Sequence, residues 1–110
     1  MRQAAIYYKE LLAGTLTETD EGEYIFQYDN NYAQNFPNQF LTFDMPVSNK
    51  PYTDKRLFAF FEGLIPEGWL LDIASKNWKI NQNDRMGLLL ACCQNCIGAV
   101  SVQPILTENE

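Results

Sequence analysis

The sequence predicts an α+β domain, a small antiparallel sheet with about three helices in the C-terminal half. Three observations lead there. Apolar residues alternate with a period of two through the first thirty positions, prolines and asparagines crowd residues 29 to 56, and from Leu57 onward the apolar spacing becomes helical. At 110 residues the chain is long enough for one core and too short for two, so residues 1–106 form a single domain and 107–110, TENE, a polar tail.

The elements follow in order. AAIYY, residues 4–8, is a strand; Lys9 and Glu10 turn the chain, and LLAGTLTET returns it with Leu12, Gly14 and Leu16 on one face. Asp20, Glu21 and Gly22 make a second turn into EYIFQYD, where Tyr24, Phe26 and Tyr28 alternate and so face the core. Residues 29–56 read as an ordered loop enclosing one strand-like piece, QFLTFDM. RLFAFFEGLIP places Leu57, Phe60, Phe61 and Leu64 at helical spacing, and Gly63 with Pro66 ends that helix. GWLLDIASKNW is the next helix, favoured by a leading proline and the early acid Glu67. A third runs from about Asn83 to Cys93, capped by Asn83 or Asp84, with Met86, Leu89, Leu90 and Cys93 on its apolar face. GAVSVQPI, residues 98–105, is the last strand.

Charge and composition exclude several function classes. Fourteen acidic against eight basic residues give a net charge of −6, which repels phosphate backbones and argues against direct nucleic-acid binding. No apolar run approaches the ~18 residues of a membrane span, and MRQAAIYYKE lacks the apolar core of a secretory signal, so a cytoplasmic location is expected. The cysteines are Cys92, Cys93 and Cys96. The absence of histidine and of a second cysteine cluster argues against a zinc site, and that of a nearby basic residue to lower a thiol pKa argues against redox work. The cysteines read as reduced thiols on a helix end.

Catalytic groups are equally sparse. No glycine-rich phosphate loop occurs, Ser48, Ser75 and Ser101 sit on no nucleophile elbow, and Glu62 and Glu67 suit helix ends better than acid–base chemistry. The expectation is a protein-binding domain that is not an enzyme, with no metal and no cofactor. FFEGLIPEGWLL then draws notice, because it places Trp69 on the first turn after a loop. Two readings stand for that indole: a partner contact, or local packing on Phe60 and Phe61. Trp78 reads as core.

From Leu57 to Val100 the chain resembles the N-terminal subdomain of HipA-type serine/threonine kinases. The pattern is carried by Phe60, Phe61, Leu64, Pro66 and Glu67, then Asp84, Leu88 and Leu89, then Asn95, Ile97, Gly98, Ala99 and Val100, and Leu12-Ala13-Gly14-Thr15-Leu16 is similar to the family's hairpin. Asn95 departs from it, standing where the family often has an acid. A freestanding subdomain of this kind is similar to the small HipS-type antitoxins of tripartite HipBST toxin–antitoxin systems. The resemblance implies a chain that binds and inhibits a HipT-like serine/threonine kinase toxin, with a HipB-like DNA-binding protein as a third partner. It implies kinase contacts at Pro66, Glu67, Gly68, Trp69 and Leu70. Two alternatives remain at this level: an accessory subunit that completes a split kinase, and a small thiol or metal protein built on the cysteines.

Overall fold

The computed structural model describes residues 2–65, 72–73, 75–77, 79–92 and 100–105. β1 (Arg2–Tyr8) and β2 (Leu11–Glu18) form a hairpin across Lys9 and Glu10, whose φ angles of +50° and +69° give the two-residue turn that matches strand twist. A second turn, with Gly22 at φ +86°, leads to β3 (Tyr24–Tyr28); Thr19 closes it by donating its N–H to the Glu23 carbonyl at 2.8 Å. β4 (Tyr52–Asp54) pairs with β3, and β5 (Val100–Ile105) returns to β1. All pairings are antiparallel, in the order β4-β3-β2-β1-β5.

One expectation about the hairpin is corrected. Ile6 pairs with Gly14 but Tyr7 pairs with Leu12, so Ala13 is an extra residue in β2. Such a bulge reverses side-chain facing. Gly14 and Leu16 are buried as predicted, Ala13 joins them, and Leu12 goes to the other side, 41% exposed.

Two further differences lie in residues 29–56. Asp29 caps a short helix, α1 (Asn30–Asn35), its carboxylate accepting from the N–H groups of Asn31 and Tyr32 at 3.1 and 3.3 Å. The Asp-Asn-Asn run that reads as a turn is thus a helix start, held by Tyr32 stacking on Tyr28. QFLTFDM is not a strand either; it contributes a lone bridge between Thr42 and Met45, and the strand of this region is β4.

The helix predicted from Leu57 shrinks to a single turn, α2 (Ala59–Glu62), with Leu57 and Phe61 buried and Phe60 and Leu64 half-buried. Residues 72, 73 and 75–77 are helical, and Lys79 follows at φ +54° while Ile80 N–H donates to the Ser75 carbonyl at 3.0 Å, a left-handed helix stop. α3 (Arg85–Cys92) starts where expected. Asp84 caps it, accepting from Gly87 N–H at 3.1 Å, and Met86, Leu88 and Leu89 are fully buried. The core lies between one sheet face, bearing Ala4, Ile6, Leu16, Phe26 and Val102, and the helices.

Candidate partner-binding surface

The residues predicted to meet a partner, Pro66, Glu67, Gly68, Trp69 and Leu70, lie outside the described residues, as do Trp78, Cys93, Asn95, Cys96 and Gly98. What the structure describes is the footing on either side of residues 66–70. Ile65 is buried at 3% exposure, and Phe61 behind it stands in an unbroken aromatic chain. That chain runs Phe36, Tyr32, Tyr28, Phe26, Phe61, Phe60, with ring centroids 4.9 to 6.1 Å apart at each step. Edge and tilted contacts of this kind add about 1 kcal/mol each to simple burial. Arg85 then clamps α2 to α3 through a forked contact to Glu62, at 2.8 Å from Nη2 to Oε2, and this contact raises the Arg85 pKa. On the far side, Gln82 donates to the Asp72 carboxylate at 2.6 Å, tying the helical residue 72 to the segment before α3.

A second charged cluster fastens the sheet to α3. Arg2 donates from Nε to Glu18 at 2.7 Å and from both terminal nitrogens to Asp84 at 2.7 and 3.1 Å, while the Tyr24 hydroxyl donates to Glu18 at 3.1 Å. The guanidinium holds the Asp84 carboxyl below its usual range, helped by the bond from Gly87 N–H. Burial, then the Glu18 contact, pushes the Tyr24 hydroxyl up to about 12. These groups satisfy one another and the helix end, so their charges serve the fold.

The third feature was missed in the sequence. Phe43 is 87% exposed, and its ring meets Phe40 at 5.0 Å. Its loop is pinned from beneath by three tyrosine hydroxyls: Tyr28 donates to the Met45 carbonyl, Tyr32 to Gln39 and Tyr52 to Pro46, the last two at 2.6 Å. Burial raises the pKa of both Tyr28 and Tyr32, keeping them protonated donors. Beside Phe43 lies a recess of about 300 Å³ lined by Asp44, Met45, Tyr52, Asp54, Phe58 and Phe60. The signal available was the pair Pro37 and Pro46 bracketing QFLTFDM, which breaks strand pairing and favours a rigid loop. Among the described residues no three Cys, Asp or Glu side chains gather where they could hold a metal ion.

Comparison with known proteins bears on this arrangement directly. The family model described as the HipA N-terminal domain matches residues 4–103. The chain belongs to the HipA N-terminal domain family. A solved structure, the N-terminal domain of HipA toxin, is similar with a TM-score of 0.74 and 26% identity, covering 98% of this chain and 96% of that one. An uncharacterized protein of Haemophilus influenzae is 30% identical over 103 residues, covering 94% of this chain and 92% of the relative. Several described residues of the HipA-like pattern are structural: Phe61, Leu88 and Leu89 are core, Asp84 caps α3, and Gly14 has Gln27 O only 2.4 Å from where a Cβ would stand. Partner recognition by this HipA N-terminal domain is therefore sought on its surface.

Proposed function

We propose that this chain is an antitoxin that binds and inhibits a HipT-like serine/threonine kinase, acting by contact and performing no catalysis of its own. The supporting observation is the fold match that covers 98% of this chain and 96% of the N-terminal domain of HipA toxin. A domain of that shape fits the place left in a kinase lacking its own N-terminal domain. In the H. influenzae relative the matched region is 92% of the protein, so the domain there is close to the whole chain.

Inhibition is assigned to residues 66–70. Trp69, flanked in sequence by Pro66, Glu67, Gly68 and Leu70, enters or borders the kinase cleft, and the residue just before this stretch, Ile65, is buried in the core with Phe61. A rigid base lowers the entropy cost of presenting an aromatic anchor. A HipB-like DNA-binding protein is the third member of the complex, and the setting is the cytoplasm.

The test is growth of a bacterial host expressing the cognate kinase, with and without this chain, together with co-purification. Rescue with stable association is expected, and Trp69→Ala is expected to fold normally while losing at least about tenfold in affinity, in the range of an interface anchor. Co-purification without rescue would identify an accessory subunit. A Trp69→Ala chain that neutralises as well as wild type would remove the indole from the mechanism.

A further inference from the structure

The described helices share one side of the sheet. Tyr32 of α1 stacks on Tyr28, Phe61 of α2 meets Phe26, and Asp84 at the start of α3 binds Arg2, all on the even-numbered side of β1 and β3. The opposite side carries the odd-numbered residues of β1, β3, β4 and β5, with Leu12, Thr15 and Thr17 of β2. No described helix covers it, and every residue on it is half-buried or exposed. None is Asp, Glu, Lys or Arg, although a fifth of the chain is charged. The helix-bearing side, by contrast, ends in Arg2, Glu18 and Asp54.

A sheet face that lives in water ordinarily carries charged cross-strand pairs, whereas the centre of an interface is depleted in charge because burying an uncompensated ion is expensive. We infer that this face docks on the body of the partner kinase, against a surface that is itself uncharged and apolar or amide-bearing. The inference rests on the antitoxin reading and adds a second contact to the one at residues 66–70. A second copy of this chain fits less well. Five strands of this length give a flat footprint of roughly 400 Å², about half of what one partner contributes to a stable interface, and each copy carries −6. A larger partner can extend the contact beyond the strands.

The decisive variant is Ala5→Lys with Thr15→Glu. These residues are direct cross-strand partners, so the introduced charges pair with each other and the sheet is kept while the face gains ionised groups that docking would have to bury. Expected are a wild-type melting curve and an affinity for the purified kinase weaker by at least about tenfold, with Glu21→Gln, exposed in the turn after β2 and off this face, binding as wild type. Undiminished binding by the double variant would overturn the docking face and leave the antitoxin reading standing. Failure of the wild-type chain to bind the kinase would overturn both. A wild-type dimer in sedimentation that the double variant dissolves would assign the face to a second copy and overturn the kinase assignment.

Discussion

Lys9 and Glu10 hold left-handed backbone angles that L-residues with side chains adopt at a cost of about 1 kcal/mol each. Asn and Gly take that turn readily. The double replacement Lys9→Asn, Glu10→Gly is therefore expected to raise stability by about 1 kcal/mol in chemical denaturation, less than the summed relief because glycine frees the unfolded chain. Gly14 is constrained in the opposite sense. A Cβ there would stand 2.4 Å from Gln27 O and 2.9 Å from the Phe26 ring, so Gly14→Ala forces β2 from β3 and is expected to lose about 2 kcal/mol by the same measurement. At this scale the sequence was legible where alternation is strict, as at Tyr24, Phe26 and Tyr28. It misled at Leu12, because an inserted residue such as Ala13 changes the facing of its neighbours without altering composition.

α3 is the element whose start and cap agree most closely with its sequence; of its predicted apolar face Met86 and Leu89 are buried and Leu90 half-buried, while Leu88, not predicted, is buried with them. Its N-terminus also supplies the clearest pH dependence. Arg2 and the Gly87 N–H stabilise the charged Asp84 carboxylate, so its native pKa lies below the unfolded value near 4. The native state then holds fewer protons than the unfolded chain across the interval between them, and stability is present in full above about pH 4 and lost as pH falls through the depressed native pKa. Asp84→Asn keeps an oxygen to cap Gly87 but removes the charge facing Arg2. It is expected to cost about 1 kcal/mol at neutral pH, the partial exposure of the pair limiting the loss, and to lie close to wild type once Asp84 itself is protonated. Urea titrations at a series of pH values read this directly. Tyr24 acts at the other end: its raised pKa of about 12 makes its contribution complete below about pH 10 and lost as pH rises through 12. α1 and β4 were less legible, since Asp29-Asn30-Asn31 has the composition of a turn and three residues of strand carry no periodic signal. Their placement depends on contacts distant in sequence, Tyr32 on Tyr28 and Tyr52 opposite Phe26.

For the molecule as a whole, fold class could be read from the order of patterns, strands first and helices later, but the strand order could not. β5 closes on β1 through pairings about a hundred residues apart, and only that closure brings Ser101, Gln103 and Ile105 into line with Tyr7, Ala5 and Gln3. The uncharged face is accordingly invisible in the linear sequence, where acids and bases are interspersed throughout. Its neutrality sets apart the two roles that charge plays in association. A net charge of −6 acts at a distance and governs how often the chain meets a charged partner, which salt screens over about 10 Å or less. Contacts made by Thr15, Ala5 and Gln27 act only once docked, and salt does not reach them. Between about 50 and about 500 mM salt, the association rate constant with the kinase should change in the direction set by the kinase's own charge, while the dissociation rate constant stays within about twofold. Stopped-flow or surface-based kinetics separate the two. A dissociation rate that rises steeply with salt would show that ion pairs hold the complex together, and a charged surface of the chain, rather than its uncharged sheet face, would then be the one in contact.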